Sequence, residues 1–290
     1  MNSVIVISGP TASGKSSLAM DLALRLNGVI ISADSMQIYR KMNIGTAKPT
    51  AEDMRLVEHK LIDILDIGES FSAADYKNAA YEEIQNALDR GKQPILAGGT
   101  GLYIDAVLNN TSFGDFECPP DIRTRLNEEA KALGAEELHR RLASVDPEAA
   151  SEIHPNNLKR VVRALEVYEA TGNTITYYKS ISRNTPPPFT FSHFTLVCED
   201  RERLYDRINR RVDIMIEHGL VEEAHLLYTS GFEQAVTASQ AIAYKELFGY
   251  FKGEMSLEES VELLKQKTRN YAKRQLTWFS RYDAVRLEIQ

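Results

Sequence analysis

Two cysteines, Cys118 and Cys198, are all that 290 residues contain. Two are too few for a disulfide scaffold or a four-ligand zinc site, which suits a reducing cytoplasm. Long apolar runs are also missing. The longest near the N-terminus, Val4–Ile7, falls far short of a signal-peptide core or a membrane span, so a cytoplasmic protein without membrane attachment is expected. Positive charge is in deficit: 34 Lys+Arg against 41 Asp+Glu leave a net charge of −7. That balance argues against blanket binding to nucleic acid, yet local basic patches can still hold phosphates. No repeat or biased segment stands out. With 43% apolar and 26% charged residues, a disordered chain, a collagen-like repeat and a coiled-coil rod are excluded.

What is present is an alternation of strands and helices. Ser3–Ser8 predicts a buried strand stopped by Gly9-Pro10, and Lys15–Leu26 a helix with Leu18, Leu22 and Leu26 on one face. Val29–Ser32 and Pro94–Ala97 are further apolar strands. Between them Ser72–Arg90 is a helix, with Ser72 as cap, Asp75 in the capping-box position and Gly91 as terminator. Such alternation implies a parallel sheet covered on both faces. The rhythm stops near residue 115, and Pro119 to about Gly172 is helical and charged. After the breakers of Asn184–Pro188, Phe189–Val197 is again a strand, and the remainder is almost wholly helical.

Gly9-Pro10-Thr11-Ala12-Ser13-Gly14-Lys15-Ser16 matches G-x-x-x-x-G-K-[ST] between a strand and a helix, the context that motif needs. Its glycines let backbone N–H groups curl around an anion at a helix N-terminus. Lys15 brings a mobile charge to the outer phosphate, and the Ser16 hydroxyl is placed to hold Mg2+. The loop grips a pyrophosphate group without saying whose. Together these features predict an α/β chain: a P-loop NTPase-like parallel core at 1–116 and 187–290, helical in its C-terminal part, and an all-helical insertion at 117–186.

Asp34 follows the second strand, where a carboxylate points into the ligand crevice. It could ligate Mg2+, accept a proton or merely cap a turn. Gly45-Thr46-Ala47-Lys48-Pro49 is either a flexible edge of the site or an ordinary surface loop. The third strand ends in Gly98-Gly99-Thr100, with no acid for Mg2+ as a nucleoside triphosphatase would have. Thr100 either presents its hydroxyl to the crevice or caps the next helix.

Two basic helices follow. Asp200–His218 carries Arg201, Arg203, Arg207, Arg210 and Arg211, with an apolar stripe of Leu204, Ile208, Val212 and Met215. Arg211 lies nearest the stripe and is the arginine expected to turn inward. Lys265–Arg281 has six Lys/Arg and no acid. Lys265, Arg269 and Lys273 form one row, Lys267, Arg274 and Arg281 another. With Tyr271, Trp278 and Phe279 between them, they suit a polyanion such as RNA. Lys159, Arg160 and Arg163 form a smaller cluster on the insertion.

In order along the chain stand the phosphate loop, Ala33-Asp34-Ser35-Met36-Gln37-Ile38-Tyr39, Ile44–Pro49, Phe71–Asp75, Ala97–Tyr103, Arg163–Val167 and Thr268–Phe279. This set strongly resembles the bacterial tRNA dimethylallyltransferases, also called tRNA isopentenyltransferases, from residue 3 to about 282. Ala243 and Lys41 stand where that family has or often has glycine, and Ser280 interrupts its usual Trp-Phe-Arg ending. The resemblance implies transfer of the dimethylallyl group of dimethylallyl diphosphate to N6 of adenosine 37, beside the anticodon of tRNA. It implies that Asp34 is the general base, that Thr100 binds substrate at the opposite lip, and that Arg211, or else Arg207, grips the diphosphate. Residues 9–16 would hold that diphosphate with Mg2+. Asp34, Ser35, Met36, Gln37, Thr100, Arg123, Lys159, Arg160 and Arg163 would contact the tRNA anticodon stem-loop. A monomer with no obligate protein partner is expected. A P-loop small-molecule or nucleotide kinase is the alternative, with Asp34 as its Mg2+ ligand. A guanine-reading N-K-x-D loop, which an NTP-dependent RNA switch would need, is missing.

Overall fold

The computed structural model describes residues 3–112 and 119–289. Cys118 and the expected boundary at 116/117 lie outside the described residues. Two compact units result: 1–108 with 188–290, and 109–187.

The first unit begins β1 (Ser3–Ser8), α1 (Lys15–Leu26), β2 (Gly28–Ser32), α2 (Ala51–Leu56), β3 (Glu58–Lys60), α3 (Ala73–Asp89), β4 (Gln93–Gly98) and α4 (Gly101–Leu108). The second unit is α5 (Pro120–Leu133), α6 (Ala135–Val145), α7 (Pro147–Glu152), α8 (Leu158–Thr171) and α9 (Ile175–Asn184). The chain returns to the first unit with β5 (Thr190–Val197), α10 (Arg201–Glu217), α11 (Leu220–Thr229), α12 (Phe248–Phe251), α13 (Leu257–Phe279) and β6 (Val285–Glu288).

Among the described residues the sheet runs β3-β2-β4-β1-β5-β6 and every pair is parallel. The period of two in β1 decides which helices cover it. Val4 and Val6 pack with Tyr76, Ala80 and Ile84 of α3 and Ile104 of α4. Ile7 points the other way, onto Ala19 and Ala23 of α1 and Leu204 and Ile208 of α10. The α3 cap is as the sequence predicts: Asp75 N–H donates to Ser72 Oγ at 3.2 Å, and Ser72 N–H donates to the Asp75 carboxylate at 2.8 Å. Beyond Phe189–Val197 the C-terminal stretch was expected to be helical, and β6 corrects that. β3 is a further strand without a signal in the sequence. Both are short edge strands carrying charge, Glu58-His59-Lys60 and Val285-Arg286-Leu287-Glu288. Edges are kept short and charged to discourage pairing with other chains, so they lack an apolar signature.

The second unit closes on Leu126, Leu138, Leu142, Val161 and Leu165. Glu166 is buried in it and takes charge-assisted bonds from Arg123 at 2.8 Å and Arg163 at 2.9 Å. Among the described residues no helix is long and apolar enough to cross a membrane.

Candidate active site

Three strand ends deliver the site. Ser8 pairs with Gly98, and Ser32 with Ala97, so the loops after β1, β2 and β4 emerge at one edge of the sheet. That edge is where open parallel sheets bind ligands.

The first loop is the phosphate loop. Gly14 takes φ +91°, which L side chains resist, and opens α1 without a side-chain cap. The first N–H groups of α1 therefore face the loop. Lys15 Nζ folds back to donate to the Pro10 carbonyl at 2.5 Å. Desolvation, then repulsion from Arg211, pulls its pKa down to about 7, with Asp34 opposing. Ser13 Oγ is buried with no hydrogen-bond partner among the described residues. A bound anion would restore the Lys15 charge and satisfy Ser13. Thr11 N–H is not open to such an anion, because it donates to Gln275 Oε1 at 2.8 Å.

The second loop carries Asp34. It is half-buried, and its Oδ1 accepts Met36 N–H at 2.9 Å. Desolvation raises its pKa; the Met36 bond and the charges of Lys15 and Arg211 pull the other way. Its neighbours are pinned by Thr100. Thr100 N–H donates to the Ala33 carbonyl at 3.0 Å, and Ser35 N–H donates to Thr100 Oγ1 at 2.9 Å. Thr100 Oγ1 thus serves the Asp34 loop. Beside it, Gly98, Gly99 and Tyr271 line the cleft. The Thr100 hydroxyl also lies 3.2 Å from Ser35 Oγ, so it braces the loop that the expected substrate contact would share.

Lys15, Ser16, Asp34 and Arg211 line one cleft of about 610 Å³. Lys15, Ser16 and Arg211 also line a second cavity of about 740 Å³, together with Ala12, Ser13 and Arg207. The two arginines are placed differently. Arg207 Nε donates to the Ala12 carbonyl at 2.9 Å, and Arg211, one turn on, lines the cleft with Lys15 and Asp34 and its charge acts on both. Burial lowers the Arg211 pKa, with Asp34 opposing. Arg201, Arg203 and Arg210 stay exposed.

Gln37, an expected RNA contact, lines the cleft and also braces the neighbouring loop. Its Nε2 donates to the Thr46 and Ala47 carbonyls at 3.1 and 3.2 Å, and its Oε1 accepts from Ser32 Oγ at 2.9 Å. Both N–H donors are committed to the loop. On the loop's other side Glu223 accepts N–H groups from Asn43, Ile44 and Gly45 at 2.9–3.0 Å and the Tyr244 hydroxyl at 2.9 Å. Lys48 is buried against the Tyr39 carbonyl at 2.6 Å and the Asp63 carboxylate. The 45–49 loop is therefore a fixed wall, and its one cation is structural. Glu223 lies about 180 residues from the N–H groups it holds, so no local pattern announces it.

The long basic helix corrects a second expectation. α13 starts at Leu257 with an acidic first turn, Glu258 and Glu259. Lys265 pairs with Asp213 at 2.8 Å, Arg269 donates to Asn209 Oδ1 at 2.6 Å, and Lys273 lies over the Tyr205 ring at 5.6 Å. That row docks residue by residue on α10. Lys267 and Arg274, from the other row, are exposed and line the cleft, while Arg281 lies over Trp278 at 4.3 Å. On the second unit Arg123 and Arg163 serve Glu166, and Lys159 and Arg160 are exposed.

Among the described residues no three His, Cys, Asp or Glu side chains gather as a metal site. Near the loop the Ser16 hydroxyl and the Asp34 carboxylate share one cleft as candidate donors. That sparse set fits Mg2+, which keeps waters and takes phosphate oxygens, and does not fit a metal needing an all-protein cage.

The IPP transferase family pattern matches residues 37–282. A tRNA dimethylallyltransferase of Acetivibrio thermocellus is 50% identical over 285 residues, 98% of this chain and 91% of that protein. The crystal structure of a tRNA isopentenylpyrophosphate transferase from Bacillus halodurans is 44% identical, with a TM-score of 0.73, covering 100% of this chain and 90% of the other. A eukaryotic dimethylallyltransferase acting on tRNA is 28% identical with a TM-score of 0.83, covering 100% of this chain and 74% of that one.

Proposed function

This chain belongs to the IPP transferase family, and on that premise we propose that its cleft transfers the dimethylallyl group of dimethylallyl diphosphate to N6 of adenosine 37 in tRNA. The products are N6-isopentenyladenosine and diphosphate. The carrying observation is the meeting of Lys15, Ser16, Asp34 and Arg211 in one cleft. It brings a carboxylate beside an anion cradle.

The chemistry needs both. The adenine N6 lone pair is delocalised into the ring and attacks weakly. Asp34 accepts the N6 proton as the C–N bond forms, and its raised pKa makes it a stronger proton acceptor than an exposed aspartate. The C–O bond to the diphosphate breaks, and the electron pair leaves with that oxygen. Lys15, Arg211 and the N–H groups at the head of α1 stabilise the charge that develops there. Mg2+ on the Ser16 hydroxyl would supply further charge neutralisation of the leaving group. No phosphoryl group moves, so no water-positioning residue is needed. The named relatives support this reading over a kinase.

The target base must leave the anticodon-loop stack to enter the cleft. Lys267 and Arg274 at the cleft, and Lys159, Arg160, Arg123 and Arg163 on the helical unit, are solvent-accessible cations for contact with tRNA. Location in the cytoplasm, where tRNA is modified, and action as a monomer belong to the same proposal. The test is incubation with labelled dimethylallyl diphosphate and unmodified tRNA in the absence of ATP. Label passing into tRNA is the expected result. ATP-dependent phosphorylation of a small acceptor without label transfer would refute the reading.

A further inference from the structure

Sheet pairing between β1 and β4 ends at Ser8 and Gly98. Past that pair the buried side chain of Gln275, on α13, continues the connection. Its Oε1 accepts Thr11 N–H at 2.8 Å and its Nε2 donates to the Gly99 carbonyl at 2.9 Å. A Cβ on Gly99 would collide with that Nε2, so the bare backbone there is what admits the amide. The next residue, Thr100, holds both flanks of Asp34 through Ala33 and Ser35. The Tyr271 hydroxyl, one turn earlier on α13, lies against both Thr100 and Gln275.

We infer that Gln275 is a positioning residue for the transfer, fixing the distance between the loop that grips the diphosphate and the loop that carries Asp34. This rests on the transferase reading above. Attack at carbon requires the nucleophile, the reacting carbon and the leaving group in near-attack geometry, and a shift of about 1 Å costs of the order of 10² in rate. The leaving group is held at the phosphate loop and the proton acceptor at the end of β2. One amide with both its polar groups engaged spans the phosphate loop and Gly99, and Thr100 next to Gly99 carries the connection on to the Asp34 loop. A residue kept only to fill space would need neither bond.

Two variants separate positioning from packing. Gln275→Met keeps length and bulk and removes both hydrogen bonds. Gln275→Glu keeps an acceptor for Thr11 and removes the donor to Gly99. Single-turnover transfer to unmodified tRNA is measured beside wild type, with tRNA affinity and thermal unfolding of each protein. At saturating dimethylallyl diphosphate, Gln275→Met is expected to transfer about 10- to 100-fold more slowly. Its KM for that substrate should rise more than in Gln275→Glu, while tRNA affinity stays near wild type and the unfolding temperature falls modestly, because the Thr11 N–H and the Gly99 carbonyl lose their partner. Wild-type rates in either folded variant overturn the inference, as does a rate loss that only tracks lost thermal stability. Should Gln275→Met not fold, Gln275→Glu decides alone: slowed transfer with intact tRNA affinity supports the inference and a wild-type rate overturns it. Wild-type protein that transfers no label at all would overturn the transferase reading itself, a result distinct from any variant-specific change.

Discussion

Arg207 ties α10 to the phosphate loop by donating Nε to the Ala12 carbonyl at 2.9 Å, and Arg211, one helical turn on, faces the cleft in its place. Two arginines four residues apart share a helix side, and the Arg211 charge acts on both Lys15 and Asp34. Arg211→Gln is expected to lower kcat/KM for dimethylallyl diphosphate by about 10²-fold, the usual scale for one charge-stabilising donor. Arg207→Gln should cost less in rate and act mainly through looser loop geometry. Steady-state kinetics of the two variants checks this, and an equal or larger loss in Arg207→Gln would reverse the assignment.

The pH dependence follows from two shifted groups. Lys15 titrates at about 7 in the free protein because its ammonium is desolvated and repelled by Arg211. A bound diphosphate favours the charged form, so above pH 7 binding takes up a proton and affinity falls as pH rises. Calorimetry at about pH 8 in buffers of different ionisation enthalpy should find about one proton taken up by wild type and none by Lys15→Met. Asp34 acts as its carboxylate, and burial raises its pKa. The transfer rate is therefore lost as pH falls through a value above that of an ordinary aspartate. Asp34→Asn should remove this limb and about 10²–10⁴ of the single-turnover rate; an unchanged limb would exclude Asp34 as the base.

The two basic rows of α13 predict opposite phenotypes. Neutralising Lys267 and Arg274 should weaken tRNA binding and flatten its log–log salt slope by about 0.7–0.9 for each phosphate that the variant no longer neutralises. Neutralising Lys265, Arg269 and Lys273 should leave the slope unchanged and lower the unfolding temperature, since their partners Asp213, Asn209 and Tyr205 are on α10. Salt titrations of tRNA affinity paired with thermal melts distinguish these outcomes.

Both positions where the chain departs from the family's glycine carry positive φ: Lys41 at +68° and Ala243 at +106°. For a residue with a Cβ the left-handed region costs roughly 1–2 kcal/mol, and glycine returns about 0.5–1 kcal/mol of that as unfolded-state entropy. Lys41 is exposed, so Lys41→Gly should stabilise the fold by about 0.5–1 kcal/mol in chemical denaturation. Ala243 is buried. Ala243→Gly also loses a methyl worth about 0.8 kcal/mol and should be close to neutral. A clear loss of stability in Lys41→Gly would contradict the strain.

Much of this was readable from the residues in order. The phosphate loop, Asp34 after β2, the Ser72 cap and the inward turn of Arg211 all depend on neighbours within a few positions, where periodicity and turn chemistry act. The central strands were legible because burial on both faces demands continuous apolar runs. Edge strands β3 and β6 were not, because an edge is protected by charge and brevity. Nor could helical periodicity tell which row of α13 meets solvent, since a cation on a helix face reads alike whether its partner is a phosphate or Asp213. Gln275 and Glu223 hold backbone groups 264 and about 180 residues away. Such bonds exist only once the sheet has brought the loops together. Local sequence therefore determined which chemistry this chain carries, and tertiary packing alone decided which side chains hold that chemistry in place.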